Sequence, residues 1–522
     1  MSTRPARPFF AVLLASALVQ PAFTSAFARG NAGGLSFEVS ASAGLFDTPR
    51  DGRLFVVIAR SDTPEPRFTI GSTGLDAPVV IGKDVSKFVS GAKGRLDDAS
   101  ALFPIAHLAD LPPGDYFVQA LFDDNNDVRS LNAPGNCYSK PRKLSIDPSG
   151  GEVIALALTE RVPPEQLPPE SEFVKYVKIQ SKLLTAFHKR PMYLRAGVIL
   201  PRGFGDDAAR RYPLDVNIGG YGDPYSTIGN LMAEGSAFRG MWLSDSAPRM
   251  ILVELDGDGP FGDSYQVNSA NNGPYGDAVT GELIPAIEKK FRGAGKPESR
   301  FLTGGSTGGW VSLALQVFYP DSFNGTWSGF PDPVDFRAYQ LVDIYRDTNA
   351  YINRSGFERP AARARNGDIL WTMRHEVGME NVMGAGNSYT RSGGQWGAWN
   401  AAFGPKSSLG GPAPLWDPHT GRIDTDVATQ WKKYDLRLVL QEHWQTLGPK
   451  LKNKLHIWVG EADDFFLNNA VHLLDEFLSK AEPAYGGWIR YGPGQGHGWS
   501  PLSHYQIMME MTSRAPQEGK RP

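Results

Sequence analysis

Apolar residues recur in two rhythms along this chain, and the rhythm changes near residue 160. Before that point the runs are short and β-prone: LFVVIA (54–59), PVVIG (78–82), DYFVQALF (115–122) and EVIALALT (152–159), separated by Gly, Pro and Asp clusters. No run with helical spacing lies between them. This pattern predicts an all-β, antiparallel sandwich-like domain over residues 29–160. The proline-rich RVPPEQLPPESE (161–172) predicts a semi-rigid linker. From 173 to 522 short apolar runs alternate with amphipathic ones. LDVNI (214–218), RMILVEL (249–255), RFLTG (300–304), GTWSG (325–329), KLHIWVG (454–460) and GWIRYG (487–492) read as strands. AVTGELIPAIEKKF (278–291), WVSLALQVF (310–318) and NAVHLLDEFL (469–478) read as helices between them. Such alternation predicts a parallel α/β sheet. The stretch from about 331 to 450, rich in Trp, Gly and Arg, breaks the alternation and is expected to form an inserted cap.

Residues 1–28 follow neither rhythm. Arg4 and Arg7 precede an apolar run over 9–19, and Ala26-Phe27-Ala28 resembles a leader-cleavage site, so the segment reads as a secretory signal peptide. The run is well short of the roughly 20 residues a membrane span needs, no cysteine follows it to carry a lipid, and no later segment could span a bilayer. A secreted or periplasmic location is therefore expected. Cys137 is the single cysteine, so no intrachain disulfide can form and the fold must rely on its core, which 522 residues permit. Cys137 itself reads as a small packed residue. Loss of the two leader arginines takes the formal charge from −3 to −5. A mildly acidic chain without a basic cluster argues against nucleic acid as a partner.

The stretch RFLTGGSTGGW (300–310) places four glycines around Ser306. Gly304 to Gly308 fit G-x-S-x-G, with a strand before and a helix after. In that context the serine sits on a sharp, strained turn, and small neighbours prevent a clash. A serine hydroxyl is a weak nucleophile and needs a base. In such folds the chain order is Ser, then acid, then His. His497, in the Gly-rich loop GPGQGHGWSP after the last strand, is the expected base, with His504 its rival. His472 lies on an apolar helix face, His456 within a strand, and His375, His419 and His443 in the cap region. In GEADDFFLNNAV the acid is expected at Asp463, at the turn off a strand. Asp464 is the alternative, although it could cap the following helix instead. An oxyanion would be held by two backbone N–H groups. One is that of Thr307. The other comes from the loop IGGYG, at Tyr221 with Gly220 next.

Two metal motifs are tested and excluded. DDNNDVRS (123–130) spaces Asp123, Asn125 and Asp127 like a calcium loop, but Val128 and Pro134 stand where Gly and Glu are required. His375-Glu376 lacks the second histidine of H-E-x-x-H.

Taken together, IGGYG, RFLTGGSTGGW, YPDSFNG, VGEADDFFLNNAV and GHGW resemble the esterase D and feruloyl-esterase-like group of α/β-hydrolases over residues 193–499. The resemblance implies an α/β-hydrolase fold and a serine hydrolase of carboxylic esters that needs no cofactor, with Ser306, Asp463 and His497 as its triad. One departure concerns the oxyanion loop, where many relatives carry His-Gly and this chain has Ile218-Gly219-Gly220. A β-domain ahead of the esterase domain is similar to the layout of secreted siderophore and polysaccharide esterases, so a small-molecule or polysaccharide-linked ester is the expected substrate. A serine peptidase or acyltransferase would use the same triad. A binding protein on a dead hydrolase fold is the third reading, against which the intact set of residues argues. The cap aromatics, among them Trp396, Trp399 and Trp416, could stack on sugars or phenolics, or simply pack a lid.

Overall fold

The protein's structure, a computed structural model, describes residues 34–516, so the expected leader lies outside the described residues. Strand Val153–Leu158 buries every second residue, the mark of one face turned to a core. It belongs to a three-stranded sheet with Ser36–Ala41 and Lys93–Leu96. A second, seven-stranded sheet is built around Arg50–Ala59, which pairs antiparallel with Val79–Phe88 and Gly114–Asp123. The two sheets share a core in which Phe37 and Val39 meet Leu54, Val56 and Phe122. One correction concerns the first sheet. Antiparallel pairing was expected throughout, but Ser36–Ala41 runs parallel to Val153–Leu158. The other sheet lies between them in sequence and supplies the long connection that parallel pairing requires.

The run LFVVIA is apolar throughout because its strand is buried on both faces. Leu54, Val56 and Ile58 point into the shared core. Phe55 and Val57 pack instead against Met379 and Val382 of the C-terminal half. The buried Arg53 anchors the same junction. Its guanidinium donates to the Val382 carbonyl (2.8 Å), Asn387 Oδ1 (2.8 Å) and Asp84 Oδ1 (2.6 Å). A buried charge requires this degree of satisfaction, so the β-sheets are keyed to one segment of the remaining chain.

The second half is an eight-stranded sheet of β1 (Val174–Gln180), β2 (Tyr193–Ile199), β3 (Leu214–Ile218), β4 (Ile251–Leu255), β5 (Arg300–Gly305), β6 (Thr326–Gly329), β7 (Leu455–Gly460) and β8 (Trp488–Gly492). Its order is β1-β2-β4-β3-β5-β6-β7-β8. β2 pairs antiparallel with both β1 and β4, and all the other pairings are parallel. The helices that matter for the site are α1 (Ile284–Phe291), α2 (Thr307–Phe318), α3 (Met373–Met383), α4 (Gln395–Phe403), α5 (Leu436–Leu451), α6 (Asn468–Leu478) and α7 (His504–Arg514). The helix expected over 278–291 is not uniform. Residues Val279–Leu283 form a wide π turn ahead of Pro285, which has no N–H to offer residue 281.

The cap range also needs correction at its C-terminal end. Helix α5 packs on α2 and belongs to the α/β layer, so the insertion ends before Leu436 rather than near 450. No helix among the described residues is long and apolar enough to cross a membrane.

Candidate active site

Parallel strands deliver their C-terminal ends to one edge of the sheet, and the loops there can converge. At the end of β5 the chain turns sharply into α2 through Ser306, whose backbone sits at φ 58°, ψ −122°. This is a costly conformation for a residue with a Cβ, and three hydrogen bonds hold it. Ser306 N–H donates to the Gly329 carbonyl (3.0 Å), while the Ser306 carbonyl accepts from Trp310 N–H (3.0 Å) and Asp332 N–H (3.2 Å). Two of the flanking glycines are required by close approach. A Cβ on Gly308 would lie 1.9 Å from the Ile218 carbonyl oxygen, and one on Gly304 would lie 2.2 Å from that of Gly308. The crowding of glycine around Ser306 therefore lets β3, β5 and α2 meet at backbone distance.

Asp463 is fully buried in the turn after β7. Its Oδ1 accepts the N–H groups of Phe465 (3.0 Å) and Leu467 (3.2 Å), which fixes the carboxylate. Its Oδ2 lies 2.9 Å from His497 Nδ1, on the loop after β8. Asp464 does not reach the imidazole. Its Oδ1 accepts only the backbone N–H of His497, at 3.4 Å. The ring of His497 is gripped edge-on by Phe330 and Phe465, at centroid distances of 4.7 and 5.0 Å. Burial pushes the imidazole pKa down. The hydrogen bond and charge of Asp463, aided by Asp332 and Asp464, outweigh burial and leave it above 6.5.

Ser306, His497, Gly220 and Tyr221 line one cavity of about 940 Å³. Gly220 N–H donates to Asp223 Oδ2 at 2.9 Å, whereas the N–H groups of Tyr221 and Thr307 have no partner among the described residues. The Tyr221 ring faces the cavity, and its hydroxyl donates to the Gly393 carbonyl (2.5 Å), tying the loop to the insertion. The rival histidines stand elsewhere. His504, at the start of α7, is packed against Phe238; His472 stacks on Tyr491; and His456 in β7 contacts the Thr326 carbonyl. Cys137 is buried, and Asp123 pairs with Arg129. Trp396 and Trp416 are buried among Tyr339 and Tyr389, whereas Trp399 reaches the cavity.

Several cavity residues were not anticipated. Residues 70–73 reach in from the β-sheet half, and Glu376 and Met379 do so from α3. Asp332, just beyond β6, is buried at the cavity floor. Its Oδ2 accepts from Tyr265 Oη (2.6 Å), Thr307 Oγ1 (2.9 Å), Trp399 Nε1 (3.1 Å) and Gln395 Nε2 (3.3 Å). The signal available in sequence was only its place after a strand end, because its partners come from three separate segments.

A second cleft, of about 890 Å³, lies between the β-sheet half and β1–β2, and none of the expected site residues lines it. Among the described residues no His, Cys, Asp and Glu group is arranged to hold a metal ion.

The model of the family described as "Putative esterase" matches residues 195–488. No curated protein matches the chain. Among solved structures, a ferulic acid esterase is 16% identical with a TM-score of 0.40, covering 66% of this chain and 99% of its own. The Staphylococcus aureus fluorophosphonate-binding serine hydrolase F is 14% identical with a TM-score of 0.36, covering 66% and 98%. An S-formylglutathione hydrolase from Agrobacterium tumefaciens is 12% identical with a TM-score of 0.34, covering 66% and 94%. With more than half of its length matched by the family model, and an α/β-hydrolase-like sheet beneath the cavity, the chain belongs to that esterase family.

Proposed function

We propose that this protein is an exported serine carboxylesterase working through an acyl-enzyme. The observation that carries the reading is the 2.9 Å contact between Asp463 Oδ2 and His497 Nδ1, in a cavity that also holds Ser306 on its strained turn. Asp463 holds the proton on Nδ1, so Nε2 is free to act as base. Ser306 Oγ attacks the ester carbonyl and His497 takes its proton. The N–H groups of Thr307 and Tyr221 receive the oxyanion. Collapse expels the alcohol, which takes the proton from His497. Water then repeats the sequence on the acyl-serine and releases the acid. Export rests on the leader-like first 28 residues.

The test pairs a fluorophosphonate probe with short-chain p-nitrophenyl esters and a peptide anilide. The expected result is labelling of Ser306 and turnover of esters but not of the anilide. Anilide turnover would favour the peptidase reading, and inertness to all three would overturn the catalytic one.

The charge on His497 sets the pH dependence. The base must be neutral, and its pKa lies above 6.5, so kcat/KM should fall as pH drops through a midpoint above that value. Asp332→Asn removes one of the charges that raise it. Its acid limb should therefore move to lower pH, and an unmoved limb in paired pH–rate profiles would contradict this electrostatic account.

A further inference from the structure

The cavity is rich in acceptors and poor in cations. Four carboxylates line it (Asp223, Asp332, Glu376 and Glu380), while among the described residues no Lys or Arg does. Glu380 is committed to structure. Its two oxygens accept Ser392 Oγ and the N–H groups of Trp396 and Gly397 at the start of α4. Asp332 and Glu376 differ. Each has one oxygen bound by a tryptophan edge, Trp399 Nε1 at 3.1 Å and Trp371 Nε1 at 3.2 Å respectively. The other oxygen of Asp332, Oδ1, accepts no hydrogen bond among the described residues, while Glu376 has the Trp396 side chain beside it as well as Trp371. Neither carboxylate has an arginine or lysine partner.

A third group points to a ligand independently. Gln340 is 4% exposed, lines the same cavity, and has an unpartnered Oε1. Its backbone is held at φ 51°. A buried amide oxygen without a donor is costly, and a ligand N–H would relieve it. The wall between these groups is aromatic, with Trp371, Trp399, Tyr221 and Phe330. Carboxyl and amide oxygens without a cationic partner, in a cavity with no Lys or Arg, are groups that can hold an ammonium ion through charge-assisted hydrogen bonds.

Resting on the esterase reading, we propose that the ester this enzyme accepts carries an ammonium group, held by acceptors among Asp332, Glu376 and Gln340 that line the cavity. An anionic acyl group would find no Lys or Arg to pair with and would bring further negative charge beside carboxyl groups whose ionisation burial already disfavours. A neutral phenolic or sugar ester could donate hydroxyls to these acceptors but would bring no positive charge to a cavity that has none.

The group could belong to the acid or to the alcohol, and two arms of one experiment separate these. On the acyl side, p-nitrophenyl ε-aminocaproate is compared with the neutral heptanoate and the anionic mono-adipate. On the alcohol side, 2-(dimethylamino)ethyl butyrate, whose protonated amine carries an N–H, is compared with its neutral 3-methylbutyl isostere. The expected result is at least about a tenfold higher kcat/KM for the cation in one arm, falling to near parity in Glu376→Gln. The same preference should appear as tighter binding of the cationic ester to Ser306→Ala, where nothing turns over. If neutral esters are hydrolysed as well as or better than cationic ones in both arms, the inference fails and the esterase stands. If no ester is turned over and the fluorophosphonate does not label, the esterase reading fails and takes the inference with it. A preference that survives both Glu376→Gln and Asp332→Asn would show that these residues do not hold the cation.

Discussion

Ser306→Ala is expected to lower ester turnover by at least about a thousandfold, because nucleophile and base act as a unit and the remaining binding and oxyanion groups supply only a residue of the catalysis. The fold should survive. The turn at Ser306 is held through its own N–H and carbonyl, to Gly329, Trp310 and Asp332, and none of these contacts uses the hydroxyl. Alanine keeps the Cβ that already occupies the φ 58° conformation, so no new strain is introduced. The unfolding midpoint should therefore stay close to that of the parent while both fluorophosphonate labelling and steady-state turnover vanish. A variant that is folded yet keeps most of its activity would remove Ser306 from the chemistry and move attention to another group in the cavity.

That turn was legible in sequence because its requirements are local. The Gly residues, the strand and the helix all lie within about twenty residues, and Gly304, Gly308 and Gly309 each report a backbone contact that a side chain would block. Asp463 and His497 were legible for a similar reason, as polar residues in short loops just past β-prone runs. Strands β1 and β2 were not marked, although VKYVKIQ alternates. The lysines and edge position of β1, and the Arg and Gly within β2, blur the apolar signal that the central parallel strands give as continuous runs. The continuous apolar run at 54–59 was read as a strand, but its second buried face could not be foreseen, because Met379 and Val382 lie over three hundred residues away. Asp332, Gln340 and Glu376 escaped for the same reason. A lone carboxylate or amide has no local signature, and only packing shows which of its oxygens is left open. The end of the cap was misplaced because nothing in the sequence of α5 separates it from the cap, and only its contact with α2 assigns it to the sheet layer.

The choice between the two adjacent carboxylates yields the second large effect. Asp463→Asn should lower kcat by about four orders of magnitude near neutral pH, through the tautomer rather than through the fold. An asparagine can keep its oxygen on the N–H groups of Phe465 and Leu467, where Oδ1 now sits. Its NH₂ then faces His497 Nδ1, which must accept instead of donate. The proton moves to Nε2, the nitrogen that has to take the Ser306 proton, and the base is lost while the loop stays in place. The charge that stabilises the imidazolium is lost as well, so the apparent pKa of His497 should fall. Asp464→Asn makes the matching control. That side chain touches only the His497 backbone N–H, at 3.4 Å, and an amide oxygen can take its place. Turnover in this variant should stay within about tenfold of the parent, since it alters a weak contact and one of several charges around the ring. Measuring both variants with one ester, together with their pH–rate profiles, separates orientation from charge. If Asp464→Asn were the more damaging, the imidazole would be oriented by a carboxylate other than the one 2.9 Å from its Nδ1, and the triad would have to be reassigned.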